Sequence, residues 1–409
     1  MKSIIVIGGG LIGAASALRL QHAGIQTILI DPGDMRRGAS FGNAGHIGTE
    51  QVSPWSSWEN VGRAPRSSFL VGGPLDFRLR DAALLAPWTQ RFLAACGPVA
   101  FARGQAALAA ILTDAMGAWR RIADLVGQPE LLIPHGHATV WMSRQAAERG
   151  RGAFGEAPAG PARTREMTFA ELDRYASVLR AAPAAGVMFE GTGQVSDPQD
   201  VRDAMVAAFA GAGGEIVADS VAGVNADGQV SLTSGGVREA DAILITAGAW
   251  SGRLMRQFGV NVPLIGERGY HLQSAETNWP RDLPTTVFEE NFVVFTRFTS
   301  GLRATSFIEF GSPNAPGDAR KWALLQRRIA DLGVQFSASP ERWVGSRPTL
   351  PDYLPAIGRL MRAPKVLYAF GHAHLGLTMA PTTSELVAGI ATEQKPSLDL
   401  APFAIERFL

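Results

Sequence analysis

Three glycines and one carboxylate near the start of the chain carry the clearest chemistry in the sequence. In KSIIVIGGGLIGAASALRLQHAGIQTILID, Gly8, Gly10 and Gly13 keep a G-x-G-x-x-G spacing, and Asp31 stands at the end of the next apolar run. Gly8 permits a tight turn, Gly10 lets the backbone approach a pyrophosphate, and Gly13 with Ala17 lets a helix lie close on a sheet. A helix starting at Leu11 and Ile12 presents free N–H groups and the positive end of its dipole to such an anion. Asp31, followed by Pro32, can accept both hydroxyls of an adenosine ribose. To hold these groups the chain must form a strand over Ser3 to Ile7, a helix to about His22 closed by Gly24, and a second strand over Ile25 to Ile30. Strand, glycines, helix, strand and acid in that order describe half of a dinucleotide-binding fold. A glycine-rich turn in an ordinary α/β protein is the competing reading, and it leaves Asp31 unexplained.

Length and charge set bounds on everything else. At 409 residues the chain exceeds what a single core supports, so two domains sharing one chain are expected. Lys and Arg number 38 against 37 Asp and Glu, which gives no global field for nucleic acid or an acidic partner. Cys96 is the only cysteine and can make no internal disulfide, so a reducing compartment fits. The first strand begins at residue 3, which argues against a cleavable signal peptide, and no run of eighteen apolar residues predicts a transmembrane helix. No Cys/His grouping has the spacing of a metal site, so no metal is expected. The richness in Ala, Arg and Gly is that of a GC-rich bacterial source.

After Asp31 the segment PGDMRRGASFGNAGHIG reads as a glycine-rich loop that can return to the cofactor. Ser40 and Asn43 can donate to phosphate or ribityl oxygens. The backbone at Ala44, Gly45 and His46 can lie against a flat ring, and the His46 side chain can approach it. A solvated Arg-Gly loop is the alternative. With these blocks the chain resembles the FAD-dependent amine and amino-acid oxidoreductases of the D-amino-acid oxidase superfamily, in particular the bacterial D-amino-acid and D-hydroxyproline dehydrogenase branch, which has a similar S-F-x-N-A-G stretch. That resemblance implies non-covalent FAD on a Rossmann-like α/β domain, joined to a second, mostly antiparallel sheet with helices that carries the substrate pocket.

Further along, 50–74 is Trp-, Ser- and Pro-rich and reads as irregular, a crossing between domains. Helices are expected at Arg80 to Cys96 and, as one stretch, at Gly104 to Val126, with Ala107, Leu108, Ile111, Leu112, Ala115, Trp119 and Ile122 on one stripe. A strand at 136–142, a loop at Gly150 to Arg163 and a helix at 167–176 follow. From Gly186 the pattern is strand, turn, helix, strand, with Asp197-Pro198 starting the helix. Ala242 to Thr246 is a buried strand opening into AGAW, at the carboxyl edge where ligands sit in open α/β sheets. By resemblance Val221 lies near the adenine, and Ala247, Gly248 and Trp250 contact the nucleotide. Alternating runs in 262–310 read as antiparallel strands, and a helix is expected at about Ala319 to Leu332.

The last quarter holds WVGSRPTLPDYLPAIGR and VLYAFGHAHLGLTMAPTTSELVAGIA, both similar to the C-terminal signature of the superfamily. The resemblance assigns Arg347 to the substrate carboxylate, a role suited to a planar guanidinium that makes two parallel charged bonds. After a strand at Val366 to Phe370, a turn from Gly371 to Leu377 leads to a helix expected near Pro381, with Thr382 and Glu385 as a capping box. Gly376, Leu377 and Thr378 would supply backbone donors at the pyrimidine end of the flavin ring. His372 and His374, two apart on an extended turn, point the same way. By resemblance His374 lines the pocket and His372 is structural. Tyr270 in GERGYHL is expected to close over the substrate carboxylate, unless it belongs to a buried strand with its hydroxyl satisfied elsewhere.

These readings imply oxidation of a C–N bond in a D-amino acid or a cyclic imino acid of the D-proline or hydroxyproline type. The α-carbon would sit roughly 3–3.5 Å from flavin N5, and the imine product would hydrolyse to a keto acid or remain cyclic. Three alternatives stay open: a glycine- or sarcosine-type secondary amine oxidase, an NAD-dependent dehydrogenase on the same nucleotide half, and a flavin-binding subunit without catalysis. The electron acceptor is expected to be a quinone or electron-transfer partner rather than dioxygen, in the cytoplasm or on the inner face of the cell membrane. A discontinuous FAD domain is expected from 1–75, 183–262 and 340–409, with a substrate cap from 76–182 and 263–339.

Overall fold

Short apolar runs buried on both faces build the first sheet of the computed structural model, which describes residues 1–156 and 160–409. Its six strands lie in the order Glu215–Val217, Gln26–Ile30, Ser3–Ile7, Ala242–Ile245, Val366–Phe370 and Ala356–Arg359. All neighbours pair in parallel except the last two, which are antiparallel. Strand alternation sorts two cores. Ile4 and Val6 pack with Ala14 and Leu18 of the helix Leu11–His22 and Val387 of the helix Gly376–Ala391. Ile5 and Ile7 pack on the opposite face against Val230 and Leu232 of a three-stranded antiparallel meander. Each isoleucine so buried contributes about 1.5–3 kcal/mol, which is why these strands show no polar alternation.

A second, nine-stranded sheet runs Glu341–Thr349, Ile265–Ser274, Gly301–Gly311, Val293–Phe298, Thr285–Phe288, His137–Trp141, Ala185–Glu190 and Arg163–Glu166, with Leu75–Phe77 also on Gly301–Gly311. Two of its pairings are parallel and the others antiparallel. The helix Ala319–Leu332 covers one face, where Leu325, Ile329 and Leu332 meet Leu272, Ala304 and Phe307. From the other face side chains reach the glycine loop at residues 41–44. The expected architecture, a Rossmann-like sheet beside a mostly antiparallel one, is thus the observed one. Two strands from stretches assigned to the nucleotide side, Ala185–Glu190 and Glu341–Thr349, pair in the larger sheet.

Local expectations differ from the structure at four places, the first being a short helix, Trp58–Arg63, capped by Ser57 within the stretch 50–74 expected to be irregular. The single helix at Gly104 to Val126 is two, Pro98–Leu112 and Ala115–Val126, broken where Asp114 leaves helical dihedrals (φ −114°, ψ 22°). The break splits the apolar stripe: Leu108 and Ile111 join Met379 and Phe403, whereas Met116 and Trp119 join Leu18 and Val387. In the expected loop at 150–163, a helix Arg144–Glu156 covers the beginning, and residues 157–159 lie outside the described residues. Ala146 and Ala147 anchor that helix against Trp141, so packing overrides a sequence with no apolar period. The C-terminal helix starts at Gly376 rather than Pro381 and has no capping box. Pro381 is accommodated inside it, and Glu385 is taken by Arg19 and Arg121.

Candidate active site

A cavity of about 1090 Å³ runs from the ends of the parallel strands to the inner face of the larger sheet. Its nucleotide end is shaped by backbone. Gly8 has φ +105°, and a Cβ there would lie 2.8 Å from the Thr246 carbonyl oxygen. A Cβ on Gly13 would lie 1.8 Å from the Gly8 carbonyl oxygen, so the helix can approach the turn only with glycine at that position. Gly10 caps the helix without any side-chain bond, which leaves first-turn N–H groups directed at the cavity, although Leu11 N–H donates to Ser40 Oγ at 3.0 Å. The Asp31 carboxylate accepts from Gly9 N–H (2.6 Å) and Gly33 N–H (2.8 Å) and borders the cavity beside Pro32. Its further lone pairs suit two ribose hydroxyls. Ile12, Val221, Ala247, Gly248 and Trp250 also line this end. An ADP-bearing cofactor fits such a cradle.

The loop that follows is gripped from outside, by residues that belong to no recognisable motif. Arg303 donates to the Phe41 and Asn43 carbonyls (3.1 and 2.6 Å), Thr296 Oγ1 to the Ala44 carbonyl (2.8 Å), and His271 Nδ1 lies 3.4 Å from the Gly42 carbonyl. The larger sheet thereby satisfies four consecutive carbonyls. Burial lowers the Arg303 pKa to about 10, which keeps it a cation at neutral pH. Close contact explains two glycines: a Cβ would meet the Trp343 ring at 2.0 Å from Gly42 and the Phe298 ring at 2.3 Å from Gly45. The Asn43 carboxamide turns back on its own loop, accepting from Gly45 N–H at 2.7 Å. Gly48 N–H donates to Thr378 Oγ1 at 3.0 Å, which joins the loop to the C-terminal helix start. Gly376, Leu377 and Thr378 line the cavity, whereas Gly13, Gly45 and Gly371 shape the chain behind it.

At the other end Arg347 borders the cavity with 22% of its side chain exposed. Its cross-strand partner is Glu267, and Nη1 donates to Oε1 at 3.1 Å. Glu267 also accepts from Thr349 Oγ1 (3.3 Å) and from the Tyr353 hydroxyl (3.1 Å), so the carboxylate that holds the guanidinium is itself held. Gly269 leaves room for the guanidinium, since a Cβ there would meet Nη2 at 2.5 Å. His374 lies beside this group, 5.8 Å from the Trp55 ring and 6.1 Å from the Tyr353 ring. Burial lowers its pKa, Glu267 and Glu50 pull upward, and Arg347 pushes it down, so at neutral pH the ring is uncharged. The turn between them is not extended: Ala373 takes φ +47° and begins a tight helical turn to Leu375, and His372, which also borders the cavity, meets Thr383 Oγ1 through Nε2 at 3.0 Å.

Tyr270 is not at the cavity. Alternation on Ile265–Ser274 turns Glu267 and Gly269 inward and sends Tyr270 to the opposite face, among Phe307 and Trp322. Its hydroxyl donates to Glu309, the centre of a buried group with Arg268 and Lys321. His46 does line the cavity, with Nε2 3.1 Å from Glu50 Oε1, and remote His137 completes this corner, its ring 4.3 Å from that of His46. Glu50 and His137 were not foreseen. His137 sits in a strand of the larger sheet, where alternation alone gives no sign of which face meets the loop. Cys96 is buried and donates to the Phe92 carbonyl, away from the cavity lining.

The family model of the DAO FAD dependent oxidoreductases matches residues 3–390, and the chain belongs to that family. It is thus an FAD-dependent oxidoreductase with an FAD-binding Rossmann-type fold. It is 29% identical to a D-amino-acid oxidase of Bradyrhizobium diazoefficiens, over 100% of this chain and 99% of that protein. It is also 29% identical to a D-amino acid dehydrogenase of Sinorhizobium medicae, over 99% of both. Glycine oxidase of Geobacillus kaustophilus shares the fold at TM-score 0.70 and 22% identity, with 100% of both chains covered. No single helix among the described residues is long and apolar enough to cross a membrane.

Proposed function

We propose that this protein oxidises the C–N bond of a D-amino acid or of a cyclic imino acid of the D-proline or hydroxyproline type, within the D-amino-acid dehydrogenase branch of its family. The observation that carries the reading is Arg347, a guanidinium fixed on one side by Glu267 and open to the cavity on the other, beside an uncharged histidine. Arg347 binds the substrate carboxylate and sets its angle. Glu267, steadied by Thr349 and Tyr353, keeps the guanidinium plane in place. His374, neutral, accepts a proton from the substrate ammonium at a ring nitrogen, so that the amine lone pair is available when the C–N bond is oxidised. FAD, bound without a covalent link, would supply the two-electron acceptor for this oxidation. The glycine loop and Asp31 would hold its nucleotide half, and the N–H groups of Gly376 to Thr378 would offer positive potential at the ring end. The imine leaves and hydrolyses to a keto acid, or stays cyclic.

Anaerobic mixing of the holoenzyme with D-amino acids, D-proline, D-hydroxyproline, glycine and sarcosine tests the reading. Flavin bleaching by one of the first three is expected, and bleaching by none removes it. For the acceptor we propose a quinone or electron-transfer partner. Leu70, Leu79 and Val99, exposed by 90, 88 and 66% within one stretch, support a seat against a membrane face. Turnover with an artificial dye that exceeds turnover in air is expected, and the reverse makes the enzyme an oxidase. We also propose a nucleotide-side unit assembled from about 1–75, 183–262 and 340–409, apart from the two strands that pair in the larger sheet.

A further inference from the structure

The corner formed by His46, Glu50 and His137 is not used by the steps above. Glu50 Oε1 accepts from Gln51 Nε2 and from His46, each at 3.1 Å, while its other oxygen is buried without a partner. His137 Nε2 lies 3.9 Å from Glu50 Oε1, and its other nitrogen, Nδ1, meets Thr192 Oγ1 at 3.2 Å. Thr192 directs its own proton to the Phe189 carbonyl, so its oxygen accepts from His137 Nδ1–H, and Nε2 carries a bare lone pair. Burial pushes the His137 pKa down to about 3, which keeps that ring neutral. Burial opposes ionisation of Glu50, and the hydrogen bonds from His46 and from its own backbone favour the carboxylate, lowering its pKa. A carboxylate and an imidazole lone pair therefore face each other across a gap with no donor between them.

That arrangement lacks a cation, and the cavity supplies none nearby. Among the described residues the basic side chains lining it are Arg37 and Arg253, beside the nucleotide end, and Arg347. His374 lines the same cavity as Arg347 and this corner. The unpartnered Thr305 hydroxyl and a further carboxyl, Glu289, which is exposed on its outer side, extend the acceptor-rich wall. We propose that Glu50, with His46 and His137, receives a positively charged nitrogen on the substrate side chain, so that the favoured substrates are D-amino acids with basic side chains. The α-carboxylate lies on Arg347, the α-amine beside His374, and the side-chain cation donates to Glu50 and His137 Nε2. This rests on the amino-acid reading above.

The test compares D-arginine and D-lysine with the uncharged D-citrulline and D-norleucine on the holoenzyme, by calorimetric binding and by anaerobic flavin bleaching. D-arginine should bind and bleach at least about tenfold better than D-citrulline, the advantage of a paired over an unpaired buried charge. In Glu50→Gln that ratio should collapse toward one. Equal behaviour of the two ligands in the unaltered enzyme, or a ratio that survives Glu50→Gln, overturns the proposal while any bleaching leaves the amino-acid reading standing. A Glu50-dependent preference in binding with no bleaching supports the pocket and removes the oxidation. A stoichiometric divalent metal that is lost in His137→Ala assigns the corner to a metal and overturns the proposal as well.

Discussion

At the nucleotide end of the cavity the main polar contacts on offer, the N–H groups of the first helical turn and the Asp31 carboxylate, come from the first thirty-one residues. At the opposite end they are side chains: Arg347 and Glu267 from paired strands, His374 from a turn, Glu50 from a loop and His137 from a distant strand. Backbone recognition needs a particular conformation, and glycines at fixed spacing write that into a short sequence. Side-chain recognition needs groups brought together from anywhere, and only the packing of the two sheets brings them. Between the ends lies the loop at 41–44, whose carbonyls are held by the larger sheet while its other side borders the cavity.

The sharpest separation of the two ends is expected from Arg347→Ala. Removing a charged contact in a dry pocket costs about 3 kcal/mol or more, so kcat/KM should fall at least about a hundredfold. The FAD content, read from absorbance per mole of protein, should be unchanged, and joint loss of cofactor would erase the distinction.

Arg303→Met should do the opposite. It strands two buried carbonyls, at about 1–3 kcal/mol each, in the loop that faces the cofactor. Lower FAD occupancy and a lower Tm are expected, and full occupancy at an unchanged Tm would mean the loop holds its shape without the clamp.

His372 and His374 repeat the comparison two residues apart. Burial holds the His372 pKa at about 3, far below that of an unfolded histidine. As pH falls below about 6.5 the unfolded chain takes up a proton that the folded one refuses, so stability drops by at most about 1.4 kcal/mol per pH unit. Above that pH this residue contributes no slope. Urea midpoints at several pH values should fall more steeply in the unaltered protein than in His372→Asn; parallel curves would show that His372 is protonated in place.

The smallest effect is expected at Tyr353→Phe. Glu267 would keep its bonds to Arg347 and Thr349, so kcat/KM should drop by less than about tenfold, chiefly through KM. A hundredfold loss would move Tyr353 from support of the clamp into the chemistry itself.

By itself the sequence determined the nucleotide half, with its succession of strand, helix and strand, and the antiparallel character of 262–310, because these depend on local periodicity and on residues with special backbone freedom. Arg347 and His374 were legible through the blocks around them. The tertiary structure alone decided which face of Ile265–Ser274 meets the cavity, and so turned Tyr270 away and brought Glu267 in. Alternation gives two faces, and only the helix Ala319–Leu332, packed on one of them, chooses between the two. It also moved the C-terminal helix start to Gly376, where turn geometry outranks the proline signal, and it joined Glu50 to His137 across eighty-seven residues of chain. Contacts of that range come from sheet pairing and the burial of whole faces, which no short window of sequence encodes.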